Sequence, residues 1–100
     1  MSVVVAGTFR VPADRFEDLR PHLEAVIAAT RAEEGCITYS YARDVGDPEL
    51  IRVFEQWRDQ AALDTHFKAP HMLAWQKVRA ENGFHDRRIR AYEVAAEREI

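Results

Sequence analysis

The sequence predicts an α+β fold with the element order βαββαβ, and three observations carry that prediction. Four segments are dense in β-branched and aromatic residues. Two stretches between them repeat apolar residues at helical spacing, and Gly46-Asp47-Pro48 supplies a tight turn joining the second and third strand segments. This order implies a four-stranded antiparallel sheet with helices packed on one side. With 47% hydrophobic and 31% charged residues, the 100-residue chain has enough apolar material for one globular domain spanning residues 1–100 and too much to stay disordered.

The first strand runs from Val3 to Val11 and is stopped by Pro12. Asp14 is placed to cap the next helix, with Glu17 three residues on in capping-box spacing. Phe16, Leu19, Leu23, Val26, Ile27 and Thr30 recur at steps of three and four, so one face of that helix is buried. Pro21 removes a backbone hydrogen bond to the Glu17 carbonyl, which predicts a bend rather than a break. Gly35 reads as the C-cap.

Cys36 to Arg43 is the second strand, with Ile37, Tyr39, Tyr41 and Arg43 on one face. Leu50 to Trp57 is the third, with Ile51, Val53, Glu55 and Trp57 on one face and Leu50, Arg52, Phe54 and Gln56 on the other. Asp59 caps a second helix whose inner stripe is Ala62, Leu63, His66 and Phe67, and Pro70 interrupts it. A further helical segment carries His71, Ala74, Trp75 and Val78 on one face and closes at Asn82-Gly83. Ile89 to Ala95 is the last strand, followed by a charged tail, Glu97-Arg98-Glu99. Strands two and three carry large side chains on both faces. A face open to water should alternate cleanly, so the expected cover is the same sheet of a second copy, giving a homodimer.

Composition excludes several classes. A net charge of −3 argues against nucleic acid, because binding phosphates needs a basic surface, and the Arg87-Arg88 and Arg90 cluster reads as a solvated or interface strand. No stretch approaches the roughly 20 apolar residues needed to span a bilayer, and the Met1–Gly7 run lacks the features of a signal peptide. The single cysteine, Cys36, excludes an intrachain disulfide and a cysteine-based zinc site, and fits a reducing cytoplasm. His66 and His71 are five residues apart and split by Pro70, so they share no helix face. No cysteine or carboxylate is expected to complete a ligand set, and no metal or other cofactor is expected. Gly-rich phosphate loops and nucleophile elbows are absent.

The run from Glu33 to His71 is where the residues point to function. Two aromatic-rich strands beside a histidine-bearing helix can enclose an apolar pocket with a few polar groups inside it, the general form of a small-molecule site.

Through Glu33-Glu34-Gly35-Cys36, Tyr39, Glu55, Trp57, Ala61-Ala62-Leu63 and the segment His66-Phe67-Lys68-Ala69-Pro70-His71, the chain resembles the antibiotic biosynthesis monooxygenase family. The likeness covers nearly the whole chain in element order and is sharpest from Glu33 to Trp75. It implies a ferredoxin-like fold that pairs into a dimeric α+β barrel. The family also includes haem-degrading enzymes and isomerases, and a fold does not fix chemistry. The haem-degrading members use a histidine on the second helical region and an asparagine on the first strand. Those positions fall near Gln76 and Gly7 here, a departure that argues against haem cleavage.

The resemblance implies cofactor-independent oxygenation of a quinol, anthrone or related phenol by O2. That reaction requires deprotonation of the substrate, hydrogen-bond donors for its anion, and exclusion of water. Trp57 offers an indole N–H, and Tyr39 and Tyr41 offer hydroxyls, the two tyrosines being jointly pocket or jointly dimer interface. His66, or alternatively His71, can take the proton, with His66 preferred. Phe54, Phe67 and Trp75 can wall the pocket, and Glu55 can serve as a second base or brace a partner. The runner-up is an isomerase or lyase of a small polar metabolite, whose cations would come from Arg43, Arg52 or Lys77. A non-catalytic ligand-binding dimer is a third reading.

Overall fold

A computed structural model describes residues 1–100. The strand Val3–Arg10 (β1) leads through a 3-10 turn, Ala13–Arg15, into the helix Phe16–Arg31 (α1). Cys36–Arg43 (β2) and Leu50–Trp57 (β3) form a hairpin, followed by the helices Gln60–Phe67 (α2) and Pro70–Glu81 (α3) and the strand His85–Glu93 (β4). The strands pair antiparallel in the order β2-β3-β1-β4. This is the ferredoxin-like βαββαβ fold, with its second helical connection split at Pro70. No helix is long and apolar enough to cross a membrane.

One face of the sheet carries the core. Val3, Val5, Phe9, Ile51, Val53 and Trp57 are buried there against the helices, as period-two alternation demands. α1 contributes Leu19, Leu23, Val26 and Thr30 at helical spacing and runs unbroken through Pro21. Burial stabilises by about 1.5–3 kcal/mol for each large apolar side chain, which outweighs the backbone bond that Pro21 cannot make. The opposite face is bare: Phe54 is 39% exposed and Tyr92 51%.

Several local expectations are corrected. Asp14 does not cap α1. The 3-10 turn runs straight into the helix, Arg15 already has helical backbone angles, and no extended cap position exists for a side chain to close. Glu17 instead binds Arg20. α1 ends at Arg31 with Ala32 as C-cap, so Gly35 lies beyond it in the turn into β2. Its φ of +86° and the closeness of α2 both require glycine, since a Cβ there would stand 2.6 Å from the Ala62 Cβ.

A register shift between Cys36 and Thr38 takes Ile37 out of the face it was expected to share with Tyr39. Ile37 is 57% exposed, and Cys36 packs against the Tyr39–Trp57 cluster instead. On α3 the buried residues are Met72 and Trp75, and Ala74 is exposed. β4 starts at His85, four residues before the expected Ile89, because pairing with β1 extends it through a run of charged residues with little apolar pattern. That pairing requires Gly7: a Cβ there would lie 2.0 Å from the Arg88 carbonyl oxygen.

Candidate functional site

Three chain segments converge on Glu33. Its Oε2 lies 2.6 Å from His66 Nδ1 and 2.8 Å from His71 Nε2. Asp59 caps α2 by accepting from the Ala62 amide, which fixes where that helix starts and sets Ala62, Leu63 and His66 against the sheet. Pro70 at the first position of α3 suits a helix start, and the new helix turns His71 back toward the same carboxylate. A carboxylate oxygen accepts, so His66 donates through Nδ1–H and keeps the lone pair on Nε2, which has no protein partner. His66 is 1% exposed, and burial holds its pKa below the usual value although Glu33 pulls it upward. The ring is therefore neutral at pH 7 and can accept a proton.

His66 lies on the wall of a cavity of about 160 Å³ between the sheet and the α2–α3 pair. Tyr39 and Tyr41 stand on β2 with their hydroxyls 2.6 Å apart, one donating to the other, so the pair uses only one of its two O–H groups internally. Burial pushes both phenols well above their usual pKa, and they stay protonated donors at neutral pH. Phe67, Met72 and Trp75 supply apolar wall, and Phe67 lies at a half-open edge. Glu55 also lines the cavity. Its pKa is raised by burial against the opposing hydrogen bond from Trp57.

Of the nine expected site residues, Tyr39, Tyr41, Glu55, His66, Phe67 and Trp75 line this cavity. Three do not. Phe54 lies on the opposite face of the sheet, because β3 alternates and Glu55 points inward. Trp57 is fully buried and its indole N–H donates to Glu55 Oε1 at 2.9 Å, so the donor expected for a substrate is already committed. His71 braces Glu33 from outside the cavity. Cys36 is half-buried and its thiol pKa is raised by burial and nearby carboxylates, which makes it a poor nucleophile.

The expectation that no carboxylate completes a His66–His71 ligand set is overturned, since Glu33 brings three ligand atoms within 4.8 Å of one another. As arranged, the set fits shared protons better than a cation. Ligand atoms around a tetrahedral zinc stand roughly 3.3 Å apart at bond lengths of about 2.0–2.1 Å, and these nitrogens lie 2.6 and 2.8 Å from the oxygen. Glu33 belongs to the segment that carries the family resemblance, and nothing local in the sequence gives it a role. Its link to His66 spans 33 positions and leaves no local pattern. The cations expected for the runner-up also lie elsewhere: Arg43 stacks on Phe16 and Arg52 pairs with Asp44, while Arg79 and Arg87 line the cavity.

Comparison with known proteins gives a consistent picture. The family model described as antibiotic biosynthesis monooxygenase matches residues 2–78. An uncharacterised protein of Synechocystis is 39% identical over 69 residues, 69% of this chain and 47% of that protein, so the match spans about half of that relative's length. The Mycobacterium tuberculosis protein named "Putative monooxygenase Rv0793" is 38% identical over 74 residues, covering 74% of this chain and 72% of its own. Its structure superposes with a TM-score of 0.78 at 30% identity, covering 99% and 98% of the two chains. A Deinococcus radiodurans crystal structure titled as a putative antibiotic biosynthesis monooxygenase reaches a TM-score of 0.89 at 27% identity, over 100% and 98%.

Proposed function

The chain belongs to the antibiotic biosynthesis monooxygenase family, and from that premise we propose that it is a cofactor-independent monooxygenase of a phenolic substrate, a quinol or anthrone by class. A monooxygenase-like function follows from the family. The substrate and the independence from cofactors are the added inference. The observation that carries it is His66 on the cavity wall, oriented through Nδ1 by Glu33 and with its Nε2 lone pair unpartnered. The volume favours a single-ring quinol over a tricyclic anthrone, since a cavity of about 150 Å³ holds one benzene.

In this reading His66 Nε2 takes a phenolic proton and leaves an electron-rich anion. The second O–H of the Tyr39–Tyr41 pair, the one not spent between them, holds the oxyanion. The anion passes an electron to O2, the radicals recombine at carbon, and one oxygen leaves as water, so a quinol and O2 give a hydroxyquinone and H2O. All the electrons come from the substrate. Phe67, Met72 and Trp75 keep bulk water from the radical pair. Glu33 and His71 are positioning residues, and Trp57 is a core anchor that holds Glu55.

The bare sheet face around Phe54 and Tyr92 supports a homodimer in which a second copy covers it. The partners proposed are thus a small aromatic substrate, O2 and a second copy, with no nucleic acid and no membrane. A cytoplasmic location is proposed on the lone thiol.

A second reading, an isomerase or lyase of a small anionic metabolite, is supported by Arg79 and Arg87 at the cavity. Oxygen uptake by chelator-treated protein over a panel of single-ring hydroquinones separates the two. Uptake that falls in His66→Ala supports the monooxygenase. No uptake with any hydroquinone, together with rearrangement of an anionic sugar or keto acid, moves the assignment to the second reading.

A further inference from the structure

Arg79 on α3 and Arg87 on β4 line the cavity from two elements, and neither guanidinium forms a direct ion pair with a carboxylate. Arg10, Arg15, Arg20, Arg52 and Arg58 each reach an acidic side chain, Arg43 stacks on Phe16 and Arg31 donates to the Tyr39 carbonyl, while Arg88, Arg90 and Arg98 are exposed and unpaired like Arg87. Arg79 is only partly exposed, so an unpaired charge there costs solvation. Glu55 in the same cavity accepts from Trp57 and attracts Arg87 without forming an ion-pair contact with it. Two cations beside a single buried carboxylate leave an excess of positive charge that a bound anion relieves.

The backbone sets this pair deliberately. Between the pairs Thr8–Arg88 and Arg10–His85, β4 inserts two residues, Asp86 and Arg87, against Phe9 alone. Asp86 sits at a φ of +50°, the left-handed region that a non-glycine residue rarely adopts. Such a bulge re-aims the side chain beside it. Arg79 and Arg87 also line a second, outer cavity of about 290 Å³, walled by Gln76, Phe84 and His85. The two arginines therefore stand at the junction of an inner cavity of one-ring size and an outer one open to entry.

We propose that Arg79 and Arg87 form an anion subsite at this junction, so that the ligand is a single aromatic ring bearing a carboxylate. The ring occupies the inner cavity beside His66 and Tyr39, and the carboxylate is held between the guanidiniums in a charge-assisted clamp. This rests on the aromatic-cavity reading of the site and narrows its substrate class from phenols to phenolic acids. Electrostatic attraction at the mouth also predicts faster capture of anions at low salt.

The test uses 2,5-dihydroxybenzoate and hydroquinone, which differ only in the carboxylate, each titrated calorimetrically into the intact protein. The expected result is about ten- to a hundred-fold tighter binding of the acid, with that preference shrinking at high salt and abolished in Arg79→Met. Equal affinity for the two probes in the unaltered protein overturns the subsite, as does a preference that survives in both Arg79→Met and Arg87→Met. The unaltered-protein comparison and its salt dependence need no variant to fold. Oxygen uptake keeps the two proposals apart. Acid preference without oxygen uptake removes the oxygenase reading and leaves the subsite standing. Equal oxygenation of both probes with the same KM removes the subsite and leaves the oxygenase.

Discussion

Glu33 Oε2 lies 2.6 Å from His66 Nδ1, and this contact joins the loop after α1 to the helix that carries the proposed base. It fixes the tautomer, points Nε2 away from the carboxylate, and ties the imidazole orientation to the packing of α1, α2 and α3. With His71 donating to the same oxygen, Glu33 is both an orienting group and a structural tie.

Replacing His66 by alanine removes the proposed proton acceptor. The expected loss in kcat is about 10²–10⁴-fold, measured by oxygen uptake with circular dichroism showing the fold retained. Burial holds the ring below its ordinary pKa of 6.5, so it stays neutral through pH 7 and the acid limb of kcat/KM falls below pH 6.5. The unfolded chain binds that proton more readily than the folded one. Stability from this group is therefore present above pH 6.5 and lost as pH falls below it. An unchanged rate in His66→Ala would reject the base assignment.

Glu33→Gln keeps the shape but removes the charge that raises His66. The expected outcome is a fall in kcat of about 10–100-fold with little change in KM, and an acid limb moved further toward low pH. Glu33→Ala should in addition destabilise by roughly 1–3 kcal/mol, because two ring N–H donors lose their acceptor. A loss of stability with no movement of the pH limb would reduce Glu33 to a structural tie.

Glu55→Gln tests the buried carboxyl. Glutamine can still accept from the Trp57 indole through its amide oxygen while discarding a charge that burial disfavours. The native fold holds the Glu55 proton more tightly than the unfolded chain, whose pKa is near 4.5, so stability is lost as pH rises through the raised folded value. The variant should melt several degrees higher at pH 7–8, a shift of about 4–8 °C for each kcal/mol gained. The advantage should vanish as pH falls toward 4.5. Equal melting temperatures at pH 8 would contradict the account.

Phe54→Glu places a charge at the centre of the bare sheet face without touching the cavity. Sedimentation should show a dimer for the unaltered protein and a monomer for the variant. A monomer in both cases refutes the homodimer, and a dimer in both moves its interface elsewhere.

What was legible in the sequence follows from how local each signal is. Ile51, Val53, Glu55 and Trp57 alternate in β3, Asp59 is an ordinary N-cap, and Pro70 starts a helix, so each is readable within a few residues. The alternation that placed Trp57 beside Glu55 also held the clue that its N–H was already engaged. The bulge at Ile37 and the early start of β4 depend on pairing across strands and leave no local mark. Glu33 meets His66 and His71 over 33 and 38 positions, and Arg79 and Arg87 come to one cavity wall only in the folded chain. The fold was thus readable almost throughout, while the partners that give each site residue its chemistry needed three dimensions.

The most direct test of the central claim is the fate of labelled dioxygen. Chelator-treated protein, a single-ring quinol and oxygen-18 gas should yield a hydroxyquinone carrying one labelled oxygen, formed far faster than without protein and far more slowly by His66→Ala. Product without label, or label incorporated equally fast by the variant, would contradict it.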